Sequence, residues 1–440
     1  MIRLTPQFAG PRTNGPIMRA IGHFLPHLRG VKQGPEHPAT LLDTLLSHQS
    51  DSARLKSAHA VRDHFTTADD EGKRAFLQLL ASGYNTDGKL LDAAISHYRK
   101  QRDPLSLSML HAASEPRRQT ILRRLNELPG GTASIIDMRR EALRLKQDIP
   151  DFAALDHCFV HLLASWFNPG FLELRQLDFQ SSADLASKLI QYEAVHAIDS
   201  WQSLRSRLEP ADRRCYAFFH PRLGDEPLIF LELALTLDIP DSIEDILRSD
   251  REVIDACDAT TAVFYSISNC QQGLRGIPFG GLLIKRVVDL LRAECRSLKT
   301  FVTLSPIPGL ARWLGETGGG AFQPMTDGQD NALIASASRQ TLLSRAAQYL
   351  AATTPDHGDP VARFHLGNGA SIERLNWMAD LSVQGLRQSY GLMVNYRYDL
   401  DHIDYDHRAF AEGALPRMSS EVRLLAGLSR QQSGKRQQNG

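Results

Sequence analysis

Four glycines, Gly273, Gly276, Gly280 and Gly281, lie between a run rich in β-branched and aromatic residues at 261–268 and a run with helical apolar spacing at 282–294. Glycine lets the backbone turn sharply and lets another group approach its N–H donors. The helix that follows begins with unsatisfied N–H groups and a partial positive charge, so a phosphate or carboxylate is favoured at that end. Two further residue types have the chemistry for proton handling. Ser305 ends a β-rich run and precedes Pro306. By its own context it reads as an N-cap for the helix expected near Leu310. His365 falls in VARFHL, where alternation puts it with Val361 and Arg363 on the face opposite Ala362, Phe364 and Leu366, the placing of a surface histidine. Its imidazole titrates near neutrality, which suits it equally to donating a proton.

These residues sit within longer blocks: EAVHAIDSW (193–201), EPLIFLELALT (226–236), FYSISNCQQGLRG (264–276), LIKRVV (283–288), LSPIPG (304–309), FHLGNGASIERLNWMADLS (364–382) and GLMVNYRY (391–398). In this order they resemble the malonyl-CoA decarboxylase family over roughly the last two thirds of the chain. The narrower strand, glycine loop and helix resemble the pyrophosphate loop of the GNAT superfamily. The resemblance implies that Arg275, Gly276, Ile277, Pro278, Phe279, Gly280 and Gly281 hold the coenzyme A part of malonyl-CoA. It also implies that Ser305 is the family's serine, a proton acceptor or a hydrogen-bond partner of the malonyl carboxylate, and that His365 is the proton donor. Tyr398 corresponds to a tyrosine of the family's active site. The loop departs from the usual pattern in being longer and in carrying Pro278, which has no N–H to give.

Decarboxylation of a malonyl thioester needs an oriented carboxylate, a stabilised enolate oxygen and a proton for the α-carbon. Backbone N–H groups, a hydroxyl and a titratable acid supply these, so no metal, biotin or thiamine cofactor is expected. Two other classes stay open: a GNAT-like acyltransferase, which would need an acceptor amine and a base, and a non-catalytic acyl-CoA sensor.

The elements that must position these residues follow from pattern and punctuation. Residues 38–166 carry helical periodicity interrupted by polar joints, and the expected fold is an all-helical N-terminal bundle followed by an α+β, GNAT-like mixed-sheet domain. Asn168-Pro169-Gly170 breaks the last helix and sets the expected boundary, a helical domain at 1–168 and a catalytic domain at 169–440. In the second part a helix is expected at 183–193 and a hairpin from strands 214–220 and 227–236. A short helix at 241–251, the strand at 261–268, the helix at 282–294 and a strand at 299–304 follow. Residues 315–335 read as a loop and 340–352 as a helix. Residues 361–366 read as a strand, 371–388 as a helix, and 391–398 as an extended stretch.

The 440 residues exceed a usual single core, and 50 basic against 50 acidic residues give no net charge with which to hold nucleic acid. No apolar run is long enough to cross a bilayer. The five cysteines form no CxxC pair, and His48, His59, His64, His97 and His111 form no metal-ligand spacing, so a reducing compartment and no metal are expected. Arg3, Arg12, Arg19 and Arg29 with no acidic residue in the first thirty resemble a mitochondrial presequence, but proline and glycine interrupt any amphipathic helix there. SGKRQQNG is not a peroxisomal ending. A cytoplasmic protein is expected, with the matrix as the alternative. The leader at 1–35 and the tail from Ser429 read as irregular. Lys285 and Arg286 read as solvated charges on the helix face away from Leu283 and Val287. The resemblance adds that the helical part supports homo-oligomerisation as a dimer or tetramer.

Overall fold

The structure, a computed structural model, describes residues 37–47, 50–277, 280–317 and 339–428. The leader, the tail, most of the 315–335 segment, Pro278 and Phe279 therefore lie outside the described residues, and Gly280 is described in its backbone alone. Two compact units divide between Leu128 and Pro129.

The first unit is helical: α1 (Pro38–Leu46), α2 (Asp51–Thr67), α3 (Asp70–Gly83), α4 (Gly88–Gln101), α5 (Pro104–Ser114) and α6 (Arg117–Asn126). Side-chain caps set the starts of all but α6, which begins after Pro116. Asp69 accepts from Gly72 N at 2.8 Å to open α3, Asp87 accepts from Lys89 N and Leu90 N to open α4, and Asp103 and Ser106 form a reciprocal capping box on α5. Apolar residues at helical spacing, Phe76, Leu77, Leu80 and Ala81 of α3, are fully buried with Leu42, Leu45, Ile121 and Leu122. Each large side chain so buried contributes about 1.5–3 kcal/mol.

The second unit opens with α7 (Gly131–Arg144) and α8 (Phe152–Trp166), then a 3₁₀ turn at Pro169–Phe171, where the Asn-Pro-Gly break was expected. These two helices, grouped by the sequence with the helical N-terminal part, fold within the compact unit of the sheet because they carry contacts to its glycine loop. A Cβ on Gly273 would lie 2.1 Å from the carbonyl oxygen of Ile136 in α7.

The sheet is built from β1 (Glu173–Leu177), β2 (Arg213–Phe219), β3 (Ile229–Thr236), β4 (Thr261–Asn269), β5 (Thr300–Thr303), β6 (Ser305–Pro306), β7 (Ser371–Asn376) and β8 (Met393–Arg397). Its order is β1-β2-β3-β4-β5-β8-β6, with β7 paired to β8. The expected β2–β3 hairpin is antiparallel, and β4–β5 is the one parallel pair among the described strands. One face carries an apolar cluster under α9 (Ala183–Tyr192) and α10 (Trp201–Leu208), with Leu185, Leu204, Ala217 and Phe230 buried in it. A neighbouring cluster joins Val263, Val302, Leu304 and Met393 to Ile243 and Ile246 of α11 (Ile243–Leu247). The helix after the glycine loop, α12 (Gly280–Glu294), buries Leu283, Ile284, Val287, Val288 and Leu291.

β4 and β5 part company. Their pairing ends at Phe264 and Thr303, with Leu304 N donating to Phe264 O at 3.0 Å. Beyond that point β4 runs on beside β3, while Ser305 pairs with Val394 of β8. The chain then passes through α13 (Leu310–Thr317), α14 (Arg339–Ala351), α15 (Pro360–Gly367), α16 (Val383–Ser389), α17 (Ile403–Ala411) and α18 (Ser420–Leu425).

Two expectations are corrected. Residues 361–366 are helix α15 rather than a strand, because Asp359 caps Val361 N and Ala362 N and Pro360 occupies the first turn, a helix-start signal stronger than a six-residue alternation. Residues 371–388 are not one helix. Ser371–Asn376 pairs with β8, Met378 turns at φ 54°, and only then does Ser382 cap α16.

Candidate active site

Alternation along β5 and β6 sends Val302 and Leu304 into the apolar cluster and turns Thr303 and Ser305 to the opposite face. Ser305 is thus a strand residue and not the cap expected for α13, which begins five residues later at Leu310. Its hydroxyl donates to Thr303 Oγ1 at 2.8 Å and lies 3.1 Å from His365 Nε2. The other ring nitrogen of His365, Nδ1, lies 2.8 Å from the Tyr398 hydroxyl. Helix α15 therefore brings His365 inward, 3% exposed, where alternation in a strand would have left it at the surface.

One proton arrangement satisfies every partner. Burial pushes the Tyr398 phenol well above its ordinary value, so it keeps its hydrogen and donates it to Nδ1. Nε2 then carries the imidazole proton toward Ser305 Oγ, and Ser305 gives its own hydrogen to Thr303, which also accepts from Tyr396 N at 3.1 Å. Burial alone lowers the His365 pKa to about 3, so the free protein holds a neutral imidazole. Tyr396 stacks on that ring at 4.7 Å between centroids, and Phe364 meets it edge-on at 5.1 Å.

The separation of Ser305 from His365 is fixed by one buried carboxylate. Asp359 Oδ1 caps α15, and its Oδ2 accepts from Gly309 N at 2.9 Å, tying the helix of His365 to the turn that follows Ser305. Gly309 has to be glycine, since a Cβ would lie 2.2 Å from the Tyr349 hydroxyl. At the other end of α15, Gly369 makes the expected tight turn at φ +83°, with Ile403 O 2.1 Å from where a Cβ would be.

The glycine loop borders a separate cleft of about 570 Å³. Arg275, Gly276, Ile277 and Gly281 form one wall, and Arg363 and Phe364 of α15 with its C-cap Asn368 form the other. Lys285 also lines it while pairing with Asp404 at 2.7 Å on the surface, so it is both solvated and near the cleft. Arg286 is half-buried and does not line the cleft: it lies over the Phe218 ring and donates to Leu172 O and Pro169 O. Ser305, His365 and Tyr398 do not line this cleft. The two groups of residues meet through α15, where Phe364 faces the cleft and the next residue, His365, faces the buried Ser305 and Tyr398. Among the described residues no cluster of His, Cys, Asp or Glu could hold a metal ion, and no helix is long and apolar enough to cross a membrane.

The family model described as the malonyl-CoA decarboxylase C-terminal domain matches residues 170–438, and the one described as its N-terminal domain matches residues 84–167. The chain belongs to the malonyl-CoA decarboxylase family. A crystal structure of malonyl-CoA decarboxylase from Agrobacterium vitis is similar with 45% identity and a TM-score of 0.81, covering 88% of this chain and 99% of that one. The corresponding structure from Rhodopseudomonas palustris gives 44% identity and a TM-score of 0.80, covering 89% and 99%. A protein named mitochondrial malonyl-CoA decarboxylase, from Anser anser anser, is 35% identical over 326 residues, which span 65% of this chain and 64% of the goose protein.

Several contributors to this candidate site were not singled out from the sequence. Tyr396 shares a strand face with Tyr398, and Thr303 shares one with Ser305, so spacing by two residues would have found both. Asp359 was signalled by the Asp-Pro helix start. Arg139, whose guanidinium reaches the loop carbonyls from α7, had no local signal at all.

Proposed function

We propose that this protein decarboxylates malonyl-CoA to acetyl-CoA and CO2. The observation that carries the proposal is the buried chain Tyr398–His365–Ser305, with contacts of 2.8 and 3.1 Å, one helix turn from a cationic, glycine-walled cleft. On this reading the N–H groups of the loop and of the start of α12 receive the phosphates of coenzyme A, with Arg275, Gly276, Ile277, Pro278, Phe279, Gly280 and Gly281 as the binding segment. The thioester arm reaches the place where β4 and β5 separate, and the malonyl carboxylate meets Ser305. The C–C bond to the carboxyl carbon breaks and its electron pair moves to the thioester oxygen as an enolate. CO2 departs, and the α-carbon takes a proton from His365, which Tyr398 helps to resupply. An arriving carboxylate raises the pKa of an imidazole it approaches, so substrate itself would favour a protonated His365 at neutral pH.

Ser305→Ala and His365→Asn should each cut kcat for CO2 release from malonyl-CoA by about 10²–10⁴-fold while the protein stays folded. Near-normal release from both variants would remove these residues from the mechanism. Turnover of malonyl-CoA with no acceptor present separates this activity from acyl transfer, and binding without turnover would identify a sensor. Homo-oligomerisation and a cytoplasmic location belong to the same proposal, with malonyl-CoA as the substrate.

A further inference from the structure

Arg139 takes no part in the chemistry above, yet it is the most constrained cation near the glycine loop. Its side chain is 3% exposed. Nη1 donates to Gly273 O at 2.7 Å and to Arg275 O at 2.8 Å. Nε and Nη2 grip the two oxygens of Asp156 on α8 at 2.7 and 3.3 Å. The ion pair neutralises the guanidinium locally, so its effect on the loop is one of orientation more than of field. Gly273 is drawn so close to α7 that only glycine fits.

The orientation can be followed through the peptide plane. There are no cis peptide bonds among the described residues, so each N–H points away from the carbonyl of its own peptide unit. Because the Arg275 carbonyl is turned onto Arg139, the Gly276 N–H points the opposite way. Gly276 lines the cleft, sits at φ +83°, and its N–H has no protein acceptor among the described residues. The neighbouring Leu274 N–H, by contrast, is spent on Gln271 O at 2.9 Å. We infer that Arg139 is a positioning residue for anion recognition: it fixes the Arg275–Gly276 peptide so that a free N–H is presented to the phosphate of a coenzyme A thioester. This rests on the malonyl-CoA reading only for the identity of the anion.

The test compares Arg139→Met and Arg139→Lys in the full chain with malonyl-CoA and with malonyl-pantetheine, which has the same acyl end and no phosphate. Arg139→Met should raise KM for malonyl-CoA about tenfold, the loss of one charge-grade hydrogen bond, with kcat little changed and kcat/KM for malonyl-pantetheine unaltered. Arg139→Lys should rescue little, because an ammonium cannot bridge two carbonyls and a carboxylate at once. Equal losses on both substrates would make Arg139 a merely structural residue and overturn the inference, as would an unchanged KM in either folded variant. Should Arg139→Met not fold, Arg139→Lys decides by the same split. If the unaltered protein does not decarboxylate malonyl-CoA, the activity reading fails. Titration with coenzyme A then still tests Arg139, and unweakened binding in Arg139→Lys refutes the inference.

Discussion

The pocket of Ser305, His365 and Tyr398 and the cleft beside the glycine loop share helix α15 and have opposite characters. The first is a buried, uncharged cluster: its polar groups are hydroxyls and an imidazole kept neutral by burial, each hydrogen-bonded to the next. The cleft is open and cationic, with Arg275, Lys285 and Arg363 around backbone donors. A reaction that turns a carboxylate into CO2 is helped by an environment that solvates the starting charge poorly, while a ligand with several phosphates is held best where charge is compensated near water. On the proposed reading, one eight-residue helix would serve both needs, because residues 363 and 364 face one way and 365 the other.

The division depends on α15 being held in register, and Asp359 does this. Asp359→Ala should remove the N-cap and strand the Gly309 N–H in a buried site, costing about 2–4 kcal/mol of unfolding free energy. Denaturant midpoints would measure it. Among variants that still fold, kcat should fall more than KM rises, since the Ser305–His365 spacing is lost while the cleft keeps its glycine-loop wall. An equal effect on both would mean that the two sites are not separately built.

The difference in charge also predicts a pH dependence confined to the pocket. His365 binds its proton near pH 3 when folded and near 6.5 when unfolded, so between these values the unfolded state holds more protons and stability falls as pH falls. By pH 4.5 the loss should be about 1–3 kcal/mol relative to pH 7. His365→Asn should lack that part of the decline. Parallel acid profiles for the two proteins would show that the imidazole is not buried neutral.

How much of this could be seen beforehand divides along the same line. The cleft wall is local in sequence: strand, glycines and helix follow one another, so a turn with approachable N–H donors was legible as soon as the punctuation was read. The buried cluster is assembled from β6, α15 and the end of β8, and its geometry depends on pairings between residues far apart in the chain, 60 for Ser305 with His365 and 33 for His365 with Tyr398. Family resemblance named Ser305, His365 and Tyr398, whereas their own local patterns misplaced two of them. VARFHL alternates well enough to pass for a strand, and Ser305 before proline passes for a cap. The helix of His365 was decided by Asp359 and Pro360 just upstream, and β7 by the partner β8 that follows it in the chain. Arg139 lies beyond any local pattern, because its contacts are with carbonyls more than a hundred residues away.

The smallest effect expected is on the cleft side. Arg363 projects from α15 into the cleft and donates only to Asp356 O, at 3.2 Å, so its charge is not neutralised by an ion pair among the described residues. Arg363→Ala should raise KM for malonyl-CoA by about two- to fivefold at low ionic strength, the size of a partly exposed charge contact. Screening lengths fall from about 10 Å at 0.1 M salt to about 3 Å at 1 M, so the gap between variant and parent should narrow as salt is added, with kcat the same in both. A salt-independent gap, or a fall in kcat, would place Arg363 in the pocket's chemistry and erase the distinction between the two sides of α15.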